Sequence, residues 1–336
     1  MYRHPCSLLA LALAAAIPPL ALADVTVTQR VTTGGFGPLS LGAMDGTTET
    51  AIAGNRARID SNLHFKSGFL RMMTGHAGES TQLIRLDEGL LDEIDTRKKS
   101  YREMTFEEYR AAMQKTNDEV QAAQRQQSTG TSAMDDSSCD WQPAATTVDR
   151  SNDRATIAGM DAERVAVRRT QACVDKKSGQ RCDFTFQIEE WLANEVPGQH
   201  EQTEFWKAYA KRLTGGDMAL PGAQGAQQIL GRYKESWSEM VAKTAALKGH
   251  PLKTVLSMHV GGAGCESGQP GDASAAAPQA ALIGLLGKLR KTPDSTAPSS
   301  DGVELFKMTT ETVAIVSTPI PAERLQIPEG YKNKGR

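Results

Sequence analysis

Aromatic residues are scarce in this chain, at 5% of its 336 residues. Thr, Gln and Arg are plentiful in the strand-like segments instead, so those strands have one wet face rather than two buried ones. An excess of either charge is also missing. With 38 Lys+Arg against 40 Asp+Glu the formal net charge is −2, a balance that argues against nucleic acid or anionic headgroups as partners. After Leu22 no apolar run approaches the ~20 residues of a membrane-spanning helix. Motifs that carry chemistry are missing too. There is no Cys-x-x-Cys and no His at ligand spacing from a Cys, so a metal site has no support. No G-x-S-x-G elbow and no S-x-x-K occurs, so serine hydrolysis has none either. Gly262-Ala263-Gly264 lacks the third glycine of a dinucleotide fingerprint and runs into Cys265.

What is present begins with the first 23 residues. Arg3 forms a short positive region, Leu8–Leu22 an apolar one, and Ala21-Leu22-Ala23 a small-x-small cleavage pattern. A signal peptide over 1–23, cut before Asp24, is expected, and with it export to a bacterial periplasm. Cys6 lies inside the apolar region, away from any lipoprotein cleavage box. Removing Arg3 with the leader takes the net charge to about −3.

Four cysteines remain: Cys139, Cys173, Cys182 and Cys265. An even number in an exported protein reads as two disulfides, with three pairings open. Cys173 and Cys182 flank a polar turn centred on Ser178-Gly179 between two strand-like segments, so the expected pairs are Cys173–Cys182 across a hairpin and Cys139–Cys265.

Strands are expected at 24–33, 47–53, 56–60, 82–86 and 90–94, with turns at Gly54-Asn55, Asp87-Glu88-Gly89 and 95–99. Many short strands joined by tight turns indicate an antiparallel meander. Thr105-Phe106-Glu107-Glu108 is a capping box that opens a helix, with Phe106, Tyr109, Met113 and Val120 as its apolar stripe. A linker follows at 128–140. Further strands are expected at 155–157, 163–169, 184–192, 252–260 and 303–317, and helices at 201–213, 226–248 and 280–290. Residues 261–278 read as a flexible Gly/Ala/Pro insertion, and the chain after Pro319 as an irregular tail.

Several phrases carry a resemblance by their order and spacing. They are Ile84-Arg85-Leu86-Asp87, Ile94-Asp95, Lys99-Ser100-Tyr101-Arg102-Glu103-Met104, Thr156-Ile157-Ala158-Gly159-Met160-Asp161-Ala162 and Glu190-Trp191-Leu192-Ala193. Gly249-His250-Pro251-Leu252 and Leu325-Gln326-Ile327-Pro328-Glu329-Gly330-Tyr331-Lys332 complete the set. Together they resemble a family of bacterial periplasmic proteins known only as a domain of unknown function, whose members look like the lipoprotein carriers LolA and LolB. The resemblance implies an α+β fold over 24–336, a curved antiparallel half-open β-barrel with helices packed on its concave side. In the carriers, acyl chains lie between sheet and helices. The family supplies no catalytic residues.

Three apolar segments lack a local reason. Gly35–Met44 holds Phe36, Leu39 and Leu41 where a hairpin loop should be polar, Phe69-Leu70-Arg71-Met72-Met73 adjoins a Gly-rich turn, and Leu282–Lys291 is apolar with a basic end. With the aromatic helix positions Phe205, Tyr233 and Trp237, residues Phe36, Leu39, Leu41, Phe69 and Met72 form the candidate ligand-binding set. The alternatives are loops folded inward as plugs and aromatic stripes serving as ordinary core. His200-Glu201-Gln202-Thr203-Glu204 starts like a zinc-protease helix but has Glu204 where the second His belongs, so it reads as a helix N-terminus favoured by its acids. Asp87/Glu88 and Glu189/Glu190 are adjacent carboxylates, which in a strand face opposite ways. Arg164, Arg168, Arg169, Lys176, Lys177 and Arg181 make one hairpin basic, as expected of a solvated edge that resists aggregation. The reading is therefore a non-enzymatic periplasmic carrier of an apolar, lipid-like ligand, with no metal or cofactor. The alternative is an envelope protein that binds another protein through the apolar loops.

Overall fold

The computed structural model describes residues 24–34, 42–68, 78–127, 139–214, 234–262 and 302–335. The leader, the apolar segments 35–41 and 69–77, most of the 128–140 linker, nearly all of the 261–278 insertion and the helix expected at 280–290 lie outside them.

The described chain is an α+β fold built on one open, almost wholly antiparallel sheet. Its first half is a meander: β1 (Val25–Thr33), β2 (Met44–Ala53), β3 (Arg56–Phe65), β4 (Glu79–Arg85), β5 (Leu90–Asp95) and β6 (Ser100–Thr105). Helix α1 (Phe106–Gln127) follows directly. Its start is the predicted capping box: Glu108 N–H donates to Thr105 Oγ1 at 3.1 Å, and Thr105 N–H donates to Glu108 Oε2 at 2.8 Å. The second half holds β7 (Cys139–Trp141), β8 (Ala145–Ile157), β9 (Met160–Asp175), β10 (Arg181–Ala193), α2 (Gln199–Thr214), α3 (Lys234–Ala245), β11 (His250–Gly261) and β12 (Val303–Val316). A short strand, β13 (Lys332–Asn333), ends the chain.

The halves join where β12 returns to pair with β1, so the order across the sheet is β13-β6-β5-β4-β3-β2-β1-β12-β11-β10-β9-β7. β7 and β8 both pair with β9, at successive stretches of it, and act as one interrupted edge strand. Among the described strands only β13 runs parallel to its neighbour, β6. The tight turn from β8 to β9 places Ala158 and Gly159 at φ of 50° and 79°, the left-handed pair that a two-residue hairpin requires. Before α2, Gly198 sits at φ +64°, and a Cβ there would come within 2.7 Å of the Val25 Cβ, so only glycine lets the chain pass so close to β1.

Alternation along the strands gives the sheet two different faces. On one, Val25, Val27, Ile52, Ala57, Ile84, Leu91 and Met104 pack under Phe106 of α1 and Phe205, Tyr209 and Leu213 of α2. The ring of Phe106 meets Tyr209 edge-on at 5.8 Å. On the same face of the other half, Val167, Ile188 and Leu256 pack under Met240 of α3. The opposite face is polar. Arg85 holds the fully buried Asp92 by two hydrogen bonds of 2.9 and 3.0 Å and reaches Glu103 at 2.7 Å. Burial pushes the Asp92 carboxyl up against the pull of Arg85.

Two expectations are corrected here. The bonded pair is Cys139–Cys173, not Cys173–Cys182. Cys173 and Cys182 do face each other across the hairpin, but β7 lies along the other side of β9. Cys139 there sits opposite Asp175, two residues from Cys173, and its Cα is 5.6 Å from that of Cys173, inside the usual disulfide range. With Cys173 bonded to Cys139, the expected Cys139–Cys265 pair falls too. Cys265 lies outside the described residues, and Cys182 is itself disulfide-bonded. The second correction is the tail. Leu325 is buried, Arg324 pairs with Glu49, and the backbone of Lys332 and Lys334 bonds to Lys99 and Tyr101 at 3.0 and 2.9 Å.

Candidate functional site

The helix-covered face runs from β2 to β9, because directly opposed residues share a face along the stretches between the register shifts in the β1–β12, β11–β12 and β10–β11 ladders. Three rows of directly opposed residues cross its middle. Phe186, Met258 and Phe306 form one, and Ile188, Leu256 and Met308 the next. The third is Val165, Glu190, Thr254, Thr310 and Val31. Met258, Phe306 and Met308 are only half-buried, packed against the edge of the Val167–Met240 cluster. They lie on β11 and β12, on the side of the α3-covered cluster that faces the strands under α2. Methionine there suits a surface that adapts to what it touches.

Glu190 is the anomaly in this face. It is 7% exposed, and among the described residues burial alone acts on its carboxyl, with no hydrogen bond or charge drawing it down. Burial alone pushes its pKa up to about 7. Its neighbour Glu189 points the other way, bonded to Arg164 at 2.6 Å and to the Trp191 indole N–H at 3.2 Å. The adjacent carboxylates therefore face opposite ways, as strand geometry requires. Beside the Glu190 row lie Gln29 and the buried Thr312, opposed to each other.

Of the residues singled out in the sequence, Phe205 is buried in the core between α2 and the sheet, its ring edge-on to Trp206 at 5.3 Å. Trp237 lies on α3, but its side chain is outside the described residues, as are Phe36, Leu39, Leu41, Phe69, Met72 and Tyr233 altogether. Glu201 falls in the first turn of α2. The basic hairpin is largely neutralised locally: Arg164 meets Glu189, Arg169 meets Glu239, and Arg181 meets Asp183. No group of three or more His, Cys, Asp or Glu among the described residues could hold a metal ion. No helix among them is long and apolar enough to cross a membrane.

Sequence reasoning missed Glu190 as a site residue, though its signal was present. Phe184, Phe186, Ile188 and Leu192 alternate along β10, and Glu190 falls in phase with them. A carboxylate at an inward position is the informative exception to a binary pattern. No protein-family model matches this chain, and no curated protein matches it.

Proposed function

We propose that this chain is a non-enzymatic periplasmic carrier for an apolar, lipid-like ligand, held between the helix-covered face of the sheet and its helices in a LolA-like, half-open arrangement. The observation that carries the reading is the half-buried strip of Met258, Phe306 and Met308 packed against the α3-covered cluster on the side of the strands under α2. An acyl chain laid on it would gain roughly 0.8 kcal/mol per buried methylene. A twelve-carbon tail gains on the order of 9 kcal/mol, less association costs of several kcal/mol, so micromolar binding needs no charged contact. The signal-like leader and a disulfide suit an oxidising compartment.

Mass spectrometry of material that co-purifies from the periplasm tests this directly, together with displacement of an apolar fluorescent probe. Co-purified lipid, and displacement that weakens in Met308→Asp, is the expected result. If the wild type carries no lipid and fatty acids or phospholipids displace no probe, the carrier reading fails. The chain then reads as an envelope protein that binds another protein through its apolar loops.

A further inference from the structure

A buried carboxyl without a partner is costly in either protonation state, because the anion lacks a counter-charge and the acid lacks an acceptor for its O–H. The other buried carboxylate among the described residues, Asp92, is held by Arg85. Glu190 has no such partner among the described residues, and its place is specific. It stands in a row with Thr254 and Thr310, whose hydroxyls both accept and donate. The next two rows along the same strands are the apolar ones, Ile188-Leu256-Met308 and then Phe186-Met258-Phe306. At ~3.3 Å per residue those rows lie ~7 and ~13 Å from Glu190. One polar row therefore heads an apolar track about the length of a short acyl chain.

We propose that the carried ligand is an amphiphile with an ammonium head, which docks on Glu190 beside Thr254 and Thr310 while its chain runs along Met308, Met258 and Phe306. The proposal rests on the carrier reading and adds the chemistry of the head. An ammonium supplies the positive charge and the N–H donors that the carboxylate lacks, and the threonine hydroxyl oxygens can accept hydrogen bonds from its remaining N–H groups. A carboxylate or phosphate head would instead face Glu190 as a like charge. The carboxyl's raised pKa fits a site whose counter-charge comes from outside the chain.

Calorimetric titration with dodecylammonium, dodecanol and dodecanoate, each below its micelle concentration and at about pH 8, tests the proposal. The wild type should bind dodecylammonium at least about tenfold more tightly than dodecanoate. Glu190→Gln should reduce dodecylammonium binding to the level of dodecanol while leaving dodecanol unchanged, which also shows that the variant keeps its apolar track. Equal binding of the ammonium and the carboxylate, or an ammonium preference that survives Glu190→Gln, overturns the proposal and leaves the carrier reading standing. If none of the three binds the wild type, the carrier reading fails and the proposal falls with it.

Discussion

Glu190 links stability to pH in a direction opposite to that of most carboxylates. In the unfolded chain it ionises near 4.5, and in the fold near 7, because burial penalises the anion. Between those values the folded chain keeps a proton that the unfolded chain releases, so stability falls as pH rises through this window. The loss is complete above about pH 7 and amounts to roughly 3 kcal/mol at 1.36 kcal/mol per pKa unit. Glu190→Gln removes the titration and keeps the shape. Urea unfolding at about pH 5 and pH 8 should show the variant gaining on the wild type by that order as pH rises. A difference between the two proteins that does not change with pH would refute this account of the site. The residue was legible in principle, since its phase in β10 is written in the alternation of Phe184, Phe186, Ile188 and Leu192. What alternation could not supply is which residues stand opposite it, because Thr254 is 64 positions on and reaches it only through the β10–β11 ladder.

At the scale of elements, legibility followed the strength of the local pattern. The capping box of α1 is read from four residues and appears with both of its reciprocal hydrogen bonds. The starts of β3 and β5 match their expected positions, because Gly54 and Gly89 mark the turns before them, at φ of 55° and 71°. Strand β6 had no such signal: Ser-Tyr-Arg-Glu-Met-Thr carries little apolar alternation and is a strand because β5 offers it a ladder. The same holds for most of β8, whose exposed, charged residues suit a sheet edge. The Cys139–Cys173 bond was hidden for this reason, since it depends on where β7 docks rather than on the hairpin beside it. Arg85 shows what a cross-strand ladder can hold: it binds Asp92 of β5 and Glu103 of β6 beneath a face that excludes water from Asp92. Replacing Arg85 by methionine keeps the stem but leaves Asp92 buried without its counter-charge. Such a loss costs about 3–5 kcal/mol, and chemical denaturation of Arg85→Met should report it. A double variant with Asp92→Asn should recover part of that loss, whereas a single variant within about 1 kcal/mol of wild type would mean that Asp92 has other support.

For the whole molecule, an open sheet this wide must manage two edges and two faces. One edge is the interrupted β7/β8 pair, polar and broken around Pro143. The other would be β6, and there the C-terminal segment intervenes. After β12 the chain turns back beneath the polar face. Ile320 N–H donates to Asp24, Arg324 pairs with Glu49 of β2, Leu325 is buried, and β13 adds a short parallel strand to β6. From the sequence these residues looked like an irregular tail, because a two-residue strand and a single buried leucine have no periodicity to read. Their contribution is nevertheless concrete. Burying Leu325 is worth roughly 2–3 kcal/mol, and the backbone hydrogen bonds at Lys99 and Tyr101 occupy part of an edge that would otherwise invite another strand. Ending the chain after Thr318 removes both effects at once. The shortened protein should unfold at a lower temperature than the full chain and should self-associate in sedimentation velocity, the association growing with concentration as edge pairing requires. A truncated chain that stays monomeric at the full-length unfolding temperature would show that the tail is a passenger and that β6 protects its own edge.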